Sequence, residues 1–252
     1  MEPVLTDAEV AHFHREGWVK VAGLLECSVA ELQRAVDEVA ALAEGAECLH
    51  HFEMTDFGPA LARTEHFIAC SDVLRQALVD GKIRTAAGEL LGEEALLYKE
   101  KINYKLVGGA GFAPHQDKPA YPFVDKVLSV MVAVDDATVE NGCLHVVDRL
   151  HREVLPQDDR GCIKTEVATT LDFHPMVLAA GETLFFDALT PHKSASNTSA
   201  LPRRALYPTY NAASEGDLRT AYYEEKLKAF ATPATEGVVR LSLIQDFEGR
   251  PL

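Results

Sequence analysis

"ALLYKEKINYKLVGGAGFAPHQD", residues 95–117, is where the chain changes period. In its first part Leu96, Tyr98, Ile102, Tyr104 and Leu106 fall mostly on one face. Lys99, Lys101, Asn103 and Lys105 fall on the other. A period of two marks a strand with one apolar face and one polar face. Before this stretch the pattern is helical. "TDAEVAHFHREG" sets Thr6 and Glu9 in capping-box spacing and stops at Gly17. "SVAELQRAVDEVAALAEG" repeats the device with Ser28 and Glu31, and carries a stripe of Leu32, Val36, Val39 and Ala43. "WVKVAGLL" between them reads as a short strand. "SDVLRQALVDGKIRTAAGELLG" reads as two helices broken near Gly81 and closed by Gly92.

After the stretch come more strands: "VLSVMVAVDDA", "ENGCLHVV" behind an Asn-Gly turn, two segments around Gly181-Glu182, and "RRALYPTYNA". "EGDLRTAYYEEKLKAF" returns to helix. Helices followed by turn-separated strands predict a mostly β fold with α, an antiparallel barrel or jelly roll under a helical layer. One domain over residues 1–252 is expected: a helical part to about 92, a barrel over about 95–212, then a helix and a strand after it.

The 252 residues carry 24 Lys+Arg against 39 Asp+Glu, a net charge of -15, which repels nucleic acid. Five scattered cysteines without a C-x-x-C fit a reducing compartment and exclude a Cys-rich zinc site. No signal peptide or membrane span is read in the sequence, so a cytoplasmic protein acting on a small molecule is expected.

The stretch ends in His115-Gln-Asp117. In an extended segment, residues two apart share a face and can bind one metal together. The same spacing occurs in His51-Phe-Glu53 and Asp172-Phe-His174. Context separates the three. His51-Phe-Glu53 reads as lying among helices, and nothing downstream completes Asp172-Phe-His174. His115-Gln-Asp117 follows a strand and a turn containing Gly108, Gly109 and Gly111, and His192 follows in "FFDALTPHKSASN". Two histidines and one carboxylate make the facial set of non-haem Fe(II) oxygenases, with open positions for O2 and a chelating cosubstrate. Beyond His192 stand Arg203 and Arg204. A guanidinium fork suits the distal carboxylate of 2-oxoglutarate, and strand alternation allows only one of the pair to point inward.

"PHQDKPAY", "NGCL", "AGETLFFDALTPHKSASNTS" and "RRALYPTYN" together resemble the phytanoyl-CoA dioxygenase family of Fe(II)/2-oxoglutarate oxygenases, over about Arg63 to Phe230. The resemblance implies a double-stranded β-helix with iron on His115, Asp117 and His192. It implies the cosubstrate carboxylate on Arg203 with Ser194 as a helper, and Lys99, Lys101 and Asn103 near 2-oxoglutarate. Gln116, between the ligands, is expected to orient a bound carboxylate. Asp117 sets the chain apart from halogenase relatives that have lost this ligand. The strand after the H-x-D lacks the tryptophan of many members, and "VVDRLHR" replaces their Pro-Gly-Ser-His.

For substrate contact the candidates are Lys118 and Tyr121, which leave the metal along the same segment, with Arg63, His51 and Lys105. "LYKEKINYKLVGGAGFAPHQD" and "LHHFEMTDFG" also resemble the branch containing the 2-aminoethylphosphonate hydroxylase. The expected substrate is a small polar anion such as that phosphonate, or another natural-product acid. The lysines alone fit equally a charged edge strand. A cupin-like metal isomerase or hydrolase, or a non-catalytic metal-binding protein, would use the same three ligands without needing Arg203.

Overall fold

The computed structural model describes residues 3–43, 48–231 and 247–248. In chain order the elements are α1 (Asp7–Glu16), β1 (Trp18–Val21), α2 (Val29–Ala40), β2 (Leu49–Thr55), β3 (Gly58–Glu65), α3 (Asp72–Arg75), α4 (Lys82–Leu91), β4 (Ala95–Lys105), β5 (Phe112–His115) and β6 (Val127–Ala133). Then follow β7 (Leu144–Val146), α5 (Thr165–Ala168), β8 (His174–Met176), β9 (Thr183–Asp187), β10 (His192–Ser194), β11 (Arg203–Ala212) and α6 (Arg219–Ala231). The strand expected beyond α6 lies outside the described residues.

Two antiparallel sheets form the jelly-roll core. A seven-stranded sheet runs β1-β9-β6-β11-β4-β3-β2, and a four-stranded sheet runs β5-β10-β7-β8. Strand β6 shows how the layers are built, because it is buried along its whole length. Leu128, Val130 and Val132 face a cluster shared with Phe13 of α1, Leu32 and Val36 of α2 and Ile83 of α4. Met131 and Ala133 face the other way, into a cluster with Leu144, Val146 and Met176 of the small sheet. A near-continuous apolar run is what a strand covered on both faces requires. Each fully buried aliphatic side chain contributes about 1.5–3 kcal/mol.

The helices start and stop where their residues direct. Both capping boxes form, Thr6 with Glu9 and Ser28 with Glu31. Gly17 and Gly92 end α1 and α4 in the left-handed conformation. The break at Gly81 separates α4 from α3 and the π-helical turn that prolongs it. Leu32, Val36 and Val39 are buried as the stripe predicts, with Ala35 beside them. Ala43 is not part of the stripe, because α2 ends at Ala40 and leaves it exposed.

The sequence reading missed the β2–β3 hairpin, so His51 and Glu53 lie on a strand rather than among helices. Its tight turn is fastened by Thr55, whose hydroxyl donates to the Gly58 carbonyl (2.7 Å) and accepts from the Phe57 amide (3.2 Å). A register shift between His51 and Phe52, and the exposure of Phe52 and Met54, hide the alternation that betrays a strand. The second correction is in β4. Its pairing with β11 passes from Thr209↔Lys99 to Tyr210↔Leu97, leaving Tyr98 as an extra residue. Leu97 therefore joins Ile102 and Tyr104 under the helices, while Tyr98 turns toward Tyr121 and Tyr222.

Candidate active site

The metal question is answered by one register. Strand β10 pairs with β5 so that His192 lies opposite His115, their ring centroids 4.1 Å apart. Asp117 follows two residues after His115, and its Oδ1 lies 3.8 Å from His115 Nε2 and 3.9 Å from His192 Nε2. Ligand atoms of all three residues come within 4.8 Å of one another. Among the described residues this is the one cluster of three or more such groups that can hold an ion.

Each ligand is oriented by its neighbours. His115 Nδ1 donates to the Ala113 carbonyl (2.7 Å) and His192 Nδ1 to the Thr190 carbonyl (2.9 Å). Both bonds fix the tautomer that leaves the Nε2 lone pair for a metal. Ser129 of β6 donates its hydroxyl to Asp117 Oδ2 (2.5 Å), so Oδ1 is the oxygen turned to the histidines. Burial pushes the His192 imidazole down to about 4, reinforced by His115 and opposed by Asp117. Burial alone would raise the Asp117 carboxyl. His192, Lys101, Lys99 and His115 overcome it and hold the group well below the usual carboxylate range. Neutral His192 and ionised Asp117 are the forms that ligate.

The triad opens into a cavity of about 770 Å³, its mouth included. Arg203 closes one end. Its guanidinium is buried, with Nη2 and Nε donating to the carbonyls of Gly142 (3.1 Å) and Asn141 (3.4 Å). Nη1 is buried with no hydrogen-bond partner. A buried, unpaired guanidinium nitrogen is costly unless an anion meets it. Ser194 lines the same end. Arg204 points away and is held by Asp135 (2.7 Å) and Asp37 (2.5 Å). The strand parity thus places Arg203, not Arg204, inside.

Lys101, Asn103, Lys105 and Arg63 also line the cavity. Lys105 lies at the Arg203 end, where its ammonium donates to Ser194 Oγ (2.9 Å) and the carbonyls of Ala195 (2.5 Å) and Gly142 (3.3 Å). It braces the Arg203 end of the cavity wall.

Five expected contacts fall elsewhere. Gln116 is fully buried with its amide spent on backbone, donating to Glu153 O (3.0 Å) and Leu189 O (2.5 Å) and accepting from Leu155 N (2.8 Å). It ties down a loop and does not reach the cavity. Lys99 lies 4.5 Å over the Tyr121 ring, outside the cavity lining. Tyr121 is packed behind it against Tyr98. Lys118 bonds the Tyr121 carbonyl (3.4 Å) and pairs with Asp125 (3.4 Å), because a short 3-10 turn carries it off the metal. His51 packs beside Glu65 (3.8 Å), and burial pushes its imidazole down to about 4.

The structure adds residues that the sequence reading passed over. Ser129 had a signal, as the one hydroxyl in the apolar run "VLSVMVA". Phe112 stands three residues before His115 in the motif stretch, Glu53 enters the sequence reading only as a metal ligand beside His51, and Phe247 had no signal because it comes from chain far from the motifs.

A jelly roll holding two histidines and an aspartate on one side of a metal position, with a buried arginine at the far end of the same cavity, defines the 2-oxoglutarate oxygenase class. The family profile described as "Phytanoyl-CoA dioxygenase (PhyH)" matches residues 13–205, so the chain belongs to the phytanoyl-CoA dioxygenase family. It is similar to the methylphosphonate hydroxylase of Gimesia maris, 45% identical over 256 residues, which covers 100% of this chain and 98% of that protein. The 2-aminoethylphosphonate dioxygenase of Uncultured bacterium HF130_AEPn_1 is 36% identical, with 91% of this chain and 90% of that one covered. EctD from S. alaskensis, solved with 2-oxoglutarate and 5-hydroxyectoine, shares the fold at a TM-score of 0.72 and 24% identity, over 85% of this chain and 78% of that one. No helix among the described residues is long and apolar enough to cross a membrane.

Proposed function

We propose that this enzyme hydroxylates a small phosphonate at the carbon bound to phosphorus. Its class is that of the family, an Fe(II)- and 2-oxoglutarate-dependent dioxygenase. The observation that carries the substrate reading is charge. In a chain of net charge -15, the cavity lining has three cationic side chains (Arg63, Lys101, Arg203), with Lys105 as a fourth whose charge burial weakens, against two carboxylates (Glu53, Asp117). Such a lining selects an anion.

The residues fit the cofactors. His115, Asp117 and His192 offer three oriented donors and would hold Fe(II) with its remaining positions toward the cavity. Arg203, through the unpaired Nη1, and Ser194 would receive the distal carboxylate of 2-oxoglutarate. The bound metal supplies O2 activation coupled to decarboxylation of 2-oxoglutarate, so that one substrate C–H becomes C–OH while succinate and CO2 leave. The chain's own part is placement and exclusion of water. Phe186 lies 4.9 Å from the His192 ring, and Leu144 and Tyr207 continue the apolar wall. A metal isomerase or hydrolase has no use for an arginine whose nitrogen is left waiting, and a non-catalytic protein has no need of the braced ligand set.

Methylphosphonate is the first candidate, supported by the more similar relative. 2-Aminoethylphosphonate is the second. Glu53, the lining carboxylate outside the ligand set, can give its ammonium group a countercharge. A reducing cytoplasm suits both the iron chemistry and the free cysteines. Incubation with Fe(II), 2-oxoglutarate, O2 and each phosphonate, followed by phosphorus NMR, tests the reading. A new α-hydroxyphosphonate resonance is expected. Turnover of non-phosphonate acids alone would overturn the substrate.

A further inference from the structure

The cavity has a second cationic end, distinct from the one closed by Arg203. Strand β4 organises both, since Lys101 and Lys105 share its inward face four residues apart, roughly 13 Å along the strand. Lys105 stands opposite Arg203 of β11, whereas Lys101 stands opposite Tyr207, with its ammonium 5.3 Å from that ring. On the other side of β4, Arg63 of β3 is opposite Asn103 and Glu65 is opposite Lys101. Lys101 and the ligand Asp117 line the same cavity.

Arg63 is built into place. It is 3% exposed yet lines the cavity. Its Nε donates to Asn103 Oδ1 (3.0 Å), its Nη1 lies 3.5 Å from Glu65 Oε1, and its Cζ lies 5.8 Å from the centre of the Phe112 ring. Glu65 is itself buried and ion-paired to Lys226 of α6. One carboxylate therefore serves Arg63 and Lys226 together, and a neutral His51 adds no charge. Lys101 lines the same cavity wall as Arg63.

We propose that Arg63 and Lys101 form the receptor for the doubly charged phosphonate group, and that Glu65 is the positioning residue that presents the Arg63 fork to it. This deepens the phosphonate reading and rests on it. A fork and a point charge on one tetrahedral group recognise a dianion with at least three oxygens. With Asp117 lining the same cavity, a phosphonate held there presents the carbon bonded to phosphorus to the metal position, which gives the reaction its position on the substrate. The distal carboxylate of 2-oxoglutarate, at the Arg203 end, does not compete for it.

Selectivity between two isosteres tests the assignment without turnover. The probe is the anaerobic Fe(II)·2-oxoglutarate enzyme, whose visible absorption band responds when substrate enters the site. Titrations, run at an alkaline pH where the second phosphonate proton is lost, would use methylphosphonate as the dianion and methanesulfonate, a monoanion of the same shape. Wild type is expected to bind the phosphonate at least tenfold more tightly. Arg63→Met and Lys101→Met are each expected to reduce that ratio to about threefold or less, and Arg63→Met is expected to leave the 2-oxoglutarate titration unchanged. Glu65→Gln is expected to weaken phosphonate binding with Arg63 still present. Should Arg63→Met fail to fold, Lys101→Met decides. Unchanged ratios in the folded variants overturn the receptor. A wild-type enzyme that forms the band but responds to no phosphonate overturns the substrate reading beneath it.

Discussion

Arg203 and Arg204 are adjacent and chemically identical, and their surroundings separate them completely. Arg203 bonds two backbone carbonyls and keeps one buried nitrogen unpaired, while Arg204 is saturated by Asp135 and Asp37. Arg203→Ala should raise the 2-oxoglutarate KM roughly tenfold to a hundredfold, the loss of a charge-assisted hydrogen bond pair. Arg204→Ala should leave that KM unchanged and cost about 1–3 kcal/mol in urea unfolding, because its bond to Asp135 is only partly exposed, whereas exposed Asp37 adds little. Ser129 poses a similar test on the metal. Its hydroxyl orients Asp117 without touching the ion position. Ser129→Ala should weaken Fe(II) retention about tenfold to a hundredfold in anaerobic metal titration, with the fold intact. Ligand identities were legible in the sequence because i and i+2 on a strand share a face. The spent amide of Gln116 was not, because its partners lie 37 and 73 residues away.

At the scale of elements, the turn before β7 joins the cosubstrate end together. The Gly142 carbonyl accepts from both Arg203 and Lys105. Gly142 has φ +71°, and a Cβ there would stand 2.3 Å from the Ala195 carbonyl oxygen. Gly142→Ala should therefore lower stability by about 1–3 kcal/mol and raise the 2-oxoglutarate KM at the same time. Thermal melting and initial rates check the two effects separately. The capped helices, the β4 face from Lys101 onward and the Asn-Gly turn were readable, since each is encoded by neighbours within a few residues. The β2–β3 hairpin was not. Its strand is a half-exposed edge with a shifted register, so the alternating pattern is lost. The extra residue at Tyr98 was hidden for the same reason, as a bulge reverses parity without changing composition.

Across the whole molecule, an acidic chain concentrates its buried cations around one cavity, and this should show in its stability. Burial, with Arg203 adding to it, pushes the Lys105 ammonium from 10.5 down to about 7. Between those values the unfolded chain binds the proton and the folded one does not. The contribution of Lys105 to stability therefore rises with pH from about 7 to 10.5, and its full cost is felt below about 7. Burial shifts Lys99 and Lys226 in the same direction. Urea unfolding should show wild type gaining more stability than Lys105→Met as pH rises through that window, and parallel curves would contradict the assignment. The antiparallel jelly roll was legible as a whole from the order of helices and strands. Which cations end up facing each other was not, because that depends on the registers of β3, β4 and β11. The central claim is oxidation of a phosphonate coupled to 2-oxoglutarate at the His115–Asp117–His192 centre, and stoichiometry tests it most directly. With Fe(II), O2 and limiting methylphosphonate, the account predicts one succinate for each hydroxylated phosphonate formed. Both products should be lost together in Asp117→Ala. Succinate that does not depend on the phosphonate, with no hydroxylated product, would contradict it.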